Sequence, residues 1–214
     1  MHQSVIDFFP AFSKKLEGCV DHMYLDCLGL VTTGIGCLID PVALAVTLPW
    51  VLKGTDTKAT TQQIIDEWHR IKDDVRLAKL HYKYAGALCQ LRLTEQGVQQ
   101  LLEKRMLGFE EDLKKEFPDW EEWPADAQLG VMSMSWAMGS GFTHRWPGFV
   151  SACQCHMWLN AAESCHINEK GNPGIIPRNK ANKILFEQAA LGYGPTKIEE
   201  YDRTQVSKSA IGYA

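Results

Sequence analysis

With 214 residues and 45% hydrophobic side chains, the chain carries enough apolar material for a buried core in one domain or two small lobes, which excludes a disordered tail and a collagen-like fibre. Its 22 Lys and Arg against 26 Asp and Glu give a formal charge of -4, so no global positive field exists for broad capture of nucleic acid or an anionic membrane. No apolar run reaches the roughly 18 residues that span a bilayer. Lys14 and Lys15 follow the N-terminal apolar patch instead of preceding it. Neither membrane insertion nor a secretory signal peptide is therefore expected, and the chain reads as made in the cytoplasm.

Val5, Phe8, Phe9, Phe12 and Leu16 recur at helical spacing and predict a helix from Ser4 that ends at Glu17, with Pro10 suited to a first-turn position and Gly18 to a stop. From Val20 to Ile39, β-branched and aromatic residues alternate with Gly29, Gly34 and Gly36, the texture of a small twisted antiparallel sheet. Pro41 to Leu52 is broken by Pro49 and reads as a buried hairpin of short segments. Thr60 to Leu93 is helical in pattern, with Thr60 or Thr61 as N-cap and Ile64, Ile65, Trp68, Ile71 and Val75 as one stripe. Thr94 opens a further helix that runs through Leu101, Leu102, Met106, Phe109 and Leu113 and ends before Pro118. Asp119 to Asp126 reads as a surface loop.

Asp126 to Met138 is apolar on most sides and predicts a central helix closed by Gly139 and Gly141. A helix near Phe149 to Ala162, a Gly/Pro loop from Asn168 to Pro177 and a last helix from Arg178 to Leu191 follow. Residues 193–214 read as a polar tail. The expected class is α+β, mostly α, with a small N-terminal antiparallel sheet and a larger helical lobe. Seven cysteines, an odd count, suggest reduced and mostly buried thiols. The spacing of Cys153, Cys155, His156, Cys165 and His166 matches no common zinc pattern, so no metal site is expected.

Chemistry concentrates in residues 17–36. Glu17 ends a helix, and Asp26 lies nine residues on in a hairpin that folds back, so both carboxyls can border one groove without being adjacent. Glycosidic cleavage needs such a pair: one acid to protonate the leaving oxygen, one carboxylate to handle water. The motif Glu, eight residues, Asp, five residues, Thr, then Gly-x-Gly resembles that of the phage-type lysozymes, or endolysin-like muramidases. Glu17, Asp26, Thr32, Gly34 and Gly36 match without a gap, and Tyr24 also falls in place. The resemblance resumes at Leu93 to Leu102, Ser135 to Gly139, Trp158 to Ala162 and Pro173 to Arg178, and so covers most of the chain.

The resemblance implies a lysozyme-like two-lobe catalytic domain over residues 1–192, with an added helical stretch at about 38–93 that compact family members lack. It implies hydrolysis, without cofactor or metal, of the β-1,4 bond between N-acetylmuramic acid and N-acetylglucosamine, by an inverting mechanism. Glu17 would be the general acid, Asp26 the carboxylate that positions or activates water, and Thr32 a hydroxyl that helps to hold that water. Burial at a helix end would keep Glu17 protonated, while a polar hairpin would keep Asp26 ionised. Arg178 matches an arginine near the acid, where it tunes or orients that acid, or else is structural. Leu38 and Trp136 fall at sugar-contacting positions, although core packing is the favoured reading of Trp136. Cys37 stands where the family commonly has His, which bears on stability.

The implied partner is bacterial peptidoglycan, in the periplasm or cell wall of a target or host bacterium. Delivery would need either a membrane-opening partner of a phage or the secretion carrier of an antibacterial effector, and an effector implies a neutralising immunity protein. Two further readings stand beside this one. The first is a peptidoglycan-binding or interaction module without turnover. The second is a lytic transglycosylase, which needs the Glu but not the Asp.

Overall fold

The computed structural model describes residues 1–80 and 82–192. It is mostly helical with small antiparallel sheets, the α+β class expected. The chain divides into two compact units, Glu17–Arg105 and Met1–Leu16 together with the residues from Met106 onward.

Helix α1 (Gln3–Glu17) buries Val5, Phe9 and Phe12 and stops where Gly18 takes a φ of +74°. Pro10 lies mid-helix, not in the first turn as the sequence suggested. The missing N–H removes one ladder bond, a cost of about 3 kcal/mol that burial of the flanking phenylalanines offsets.

In the unit that starts at Glu17, strands β1 (Val20–Leu25), β2 (Val31–Gly34) and β3 (Cys37–Leu38) form an antiparallel sheet in chain order. The expected hairpin over Pro41 to Leu52 is absent. A single helical turn, α2 (Val42–Ala45), leaves Leu44 45% exposed. Strand β4 (Trp50–Leu52) then pairs Trp50 with Leu93 of β5 (Leu91–Leu93), far along the chain.

Helix α3 (Thr61–Asp73) opens on a reciprocal capping box between Thr60 and Gln63, as the N-cap expectation required. Ile64, Trp68 and Ile71 are buried, but Val75 falls beyond the helix end and is exposed. The long helical reading of 60–93 thus breaks into α3, a 3-10 turn, α4 (Tyr82–Leu88) and β5. The break has a polar cause. The carboxylate of Glu67, 2% exposed, accepts the backbone N–H groups of Gln90 and Leu91 at 2.6 and 3.0 Å and holds that segment extended. Helix α3 is tied to the first sheet by Trp68 Nε1 donating to the Ile39 carbonyl, and by Lys72 Nζ donating to Gly29 O and Asp40 Oδ2.

Helix α5 (Glu95–Glu116) crosses the division between the units. In the other unit α6 (Ala125–Met138) is buried continuously from Ala125 to Trp136 and ends at Gly139, the central helix expected. It packs against α9 (Ile175–Ala190). Gly130 allows that approach, since a Cβ there would meet the Phe186 ring at 2.8 Å.

The expected helix at 149–162 is two helices, α7 (Pro147–Gln154) and α8 (Trp158–Ser164), separated where His156 takes a φ of +53°. Residues 119–126 are no loose surface loop: Trp120 and Trp123 are fully buried there, and Asp126 is 1% exposed. Helix α9 starts three residues before Arg178, and the tail proposed for 193–214 lies outside the described residues. Among the described residues no helix is long and apolar enough to cross a membrane.

Candidate active site

The first sheet sets one row of side chains. Tyr24 of β1 pairs with Thr32 of β2, and Thr32 with Leu38 of β3. Directly opposed residues in antiparallel strands share a face, so Tyr24, Thr32 and Leu38 line one side of the sheet. The bounding turns add the carboxyls. Asp26 builds the β1–β2 turn: its Oδ1 accepts the N–H groups of Leu28 and Leu30 at 2.8 and 2.9 Å, and its own N–H donates to the Leu30 carbonyl. That leaves Oδ2 without a hydrogen bond among the described residues.

Glu17, at the end of α1, lies against the β2–β3 turn, where a Cβ on Gly36 would come within 3.4 Å of its Oε2. Gly34 and Gly36 both take positive φ, +63° and +68°, so the Gly-x-Gly pattern supplies left-handed backbone and, at position 36, room for the acid. Gly34 also receives the α5 side chains Leu101 and Val98 at 3.5 and 3.9 Å from a would-be Cβ. Glu17 itself is exposed. The burial expected for this acid at the helix end is therefore absent.

Tyr24 registers both carboxylates. Burial raises its phenol above the ordinary tyrosine range, and the negative charges of Glu17 and then Asp26 raise it further, against a lowering by Arg105. One ring thus lies within electrostatic reach of both acids. Thr32 is 4% exposed and donates its hydroxyl to the Leu30 carbonyl at 3.2 Å. The proton is thereby directed away, and the oxygen lone pairs remain as acceptors. Cys37, where a histidine was the commoner expectation, is buried, and desolvation pushes its thiol up to about 11, with Arg105 opposing. It behaves as a packed apolar side chain.

Leu38, 39% exposed, borders a groove of about 220 Å³ that β3, α2 and α5 enclose, with Leu44, Leu48, Leu101, Lys104 and Arg105 among its lining residues. Sequence spacing missed Arg105 and Lys104. The only available signal was helical periodicity: Arg105 stands one turn beyond Leu101, the α5 residue that meets Gly34.

The remaining two site expectations fall in the other unit. Trp136 is 4% exposed, with its indole 5.0 Å from the Phe9 ring and 5.9 Å from the Phe109 ring. It packs as a core residue, the alternative the sequence reading offered beside a sugar contact, and aromatic neighbours cover it. Arg178 is 2% exposed and donates Nη1 to the Ser133 carbonyl and Oγ at 2.8 and 2.9 Å, which makes it a buried tie between α9 and α6. Four of the seven thiols (Cys37, Cys89, Cys153 and Cys165) are buried. Among the described residues no group of three metal-ligating side chains is assembled. No family model matches the chain, and no curated protein matches it.

Proposed function

We propose that this protein is a peptidoglycan hydrolase, a muramidase that cleaves the β-1,4 bond between N-acetylmuramic acid and N-acetylglucosamine by general acid and base catalysis with inversion. The observation that carries the reading is a pair of carboxyls beside the two turns of one small sheet, Glu17 at the end of α1 against Gly36 and Asp26 in the β1–β2 turn, with the Tyr24 and Thr32 row on the strands. Glu17 would protonate the leaving glycosidic oxygen. Asp26 Oδ2 and the Thr32 lone pairs would each accept a hydrogen from one water, aiming its lone pair at the anomeric carbon on the opposite face of the sugar. The two bonds already made to Asp26 Oδ1 hold the carboxylate plane, so that little reorganisation is needed when the water is activated.

Peptidoglycan lies outside the bacterial inner membrane, so the protein would act in the periplasm or wall of a target or host cell. Delivery by a secretion carrier would require an immunity protein in the producing cell. Purified cell wall digested by the parent protein should release reducing ends of inverted configuration. Glu17→Gln and Asp26→Asn should each lower the rate about 10²–10⁴-fold with unfolding midpoints unchanged. Anhydro sugar ends, with Asp26→Asn still active, would identify a lytic transglycosylase. Binding to wall without any release would identify an interaction module.

A further inference from the structure

Helix α4 is held by a polar clasp that the catalytic row does not use. Its seven residues are too few for a helix to persist alone in water, where about 12–15 are needed, and Ala85 is the one of them that is buried. Side chains of two strands grip its carbonyl groups instead. His22 of β1, a buried residue, sets Nε2 3.0 Å from the Tyr82 carbonyl oxygen and Nδ1 2.9 Å from Asp21 Oδ1. Arg92 of β5 donates Nη2 to the Gly86 carbonyl at 2.6 Å, and its Nε lies 3.5 Å from the same Asp21 oxygen. Gly86 makes room for the imidazole, since a Cβ there would meet the ring at 2.7 Å. The ring of Tyr82 lies 6.3 Å from that of Tyr24, the candidate-site residue within electrostatic reach of both acids.

Both neighbours of the imidazole, a carboxylate and a carbonyl, are acceptors. A neutral ring has one N–H and satisfies one of them, while a protonated ring donates to both. Of the other elements packed against β1, β2 carries no titratable side chain. Helix α3 carries Glu67, bonded to Arg70, Gln90 and Leu91, and Lys72, bonded to Gly29 and Asp40. The 3-10 turn carries Arg76, paired with Asp74, and exposed Lys79. Helix α4 adds exposed Lys83 and Tyr84, and Cys89 just beyond it donates its thiol to the Met23 carbonyl. We propose that His22 is a positioning residue: protonated, it clasps α4 on β1 and holds Tyr82 against Tyr24; on losing its proton to solvent it keeps one bond of the two, and α4 loosens. The catalytic consequence, a candidate site most complete in acid, rests on the muramidase reading, whereas the clasp itself does not.

Hydrogen exchange of α4 tests the clasp without reference to turnover. In the parent, protection relative to intrinsic exchange should fall about tenfold between about pH 5 and pH 8, the range in which histidine titrates, given the usual strength of a hydrogen bond from a charged group. His22→Phe keeps a ring against Gly86 without its donors, so its protection should be low and equal at both pH values. His81→Gln should keep the parent's fall. Protection in the parent that does not change with pH, a fall that persists in His22→Phe, or one that vanishes in His81→Gln overturns the clasp. Wall hydrolysis then tests the positioning. The ratio of kcat/KM between parent and His22→Phe cancels the titration of the catalytic carboxyls, and it should be about tenfold at pH 5 and near one at pH 8. A ratio equal at both pH values overturns the positioning role, because a merely structural loss does not titrate. No hydrolysis by the parent, together with pH-dependent protection that His22→Phe abolishes, would sink the muramidase reading and leave the clasp standing. Thermal melting checks that each variant is folded, and His22→Gln, equally blind to this pH range, replaces the Phe variant if that one is not.

Discussion

The small sheet of residues 20–38 and the buried helix α6 use the same residue types for opposite ends. In α6 every residue from Ala125 to Trp136 is buried, and Trp136, Met132 and Met134 fill space among other side chains. In the sheet, Tyr24 is half-buried and Leu38 is open, and Asp26 sits in the β1–β2 turn. Even the glycines differ in purpose. Gly130 is needed because Phe186 occupies the place of its Cβ, whereas Gly36 is needed for a positive φ with Glu17 resting on it. A tryptophan or glycine in a motif therefore signals chemistry only when the backbone around it is irregular. In a regular helix it signals packing.

The contrast can be broken most directly at Trp136. Trp136→Ala should cost about 3–5 kcal/mol in denaturant unfolding, as a buried aromatic deletion does. Trp136→Phe should keep both the fold and any wall hydrolysis. A Phe variant that melts normally yet loses saccharide binding would return this residue to the site.

A smaller effect is expected at Gly36. Gly36→Ala forces a Cβ into left-handed backbone, at about 1–2 kcal/mol, and sets it in van der Waals contact with the Glu17 carboxylate. Its loss of wall hydrolysis should exceed what the shift in melting temperature explains. A stability loss with turnover intact would show that Glu17 needs no such seat.

The smallest effect concerns Asp40, the link between β3 and α2. Partial burial raises its carboxyl, but the hydrogen bond from Lys72, the Val31 N–H and the Lys72 charge outweigh this and hold it below the usual carboxylate range. A depressed carboxyl contributes stability that is complete above its unfolded value of about 3.9 and is lost as pH falls through the lower folded value. Asp40→Asn should therefore be less stable than the parent at pH 6, by no more than about 1 kcal/mol. The difference should shrink as pH falls below about 4. A gap that stays constant from pH 6 to pH 2 would assign the loss to packing instead of charge.

Much of the molecule was legible without coordinates because its signals are local. The α1 stop at Gly18, the Thr60 cap, the extent of α5 and the burial of α6 follow from the propensities and periodicities of the residues within each element. Tertiary partners decided the rest. Residues 89–93 read as helix because nothing nearby announces that Glu67 will take the N–H groups of Gln90 and Leu91 and hand the segment to β4 as a strand. Trp120 and Trp123 looked like loop residues because adjacent acids masked an apolar anchor. Arg178 read either as an arginine near the acid or as a structural residue, and its buried bonds to Ser133 depend on which helix faces α9. Lys104 and Arg105 join the first sheet only through the packing of α5. Sequence specifies what a chain segment can satisfy by itself; buried polar groups and grooves wait for partners brought from elsewhere in the chain, and those only the folded structure supplies.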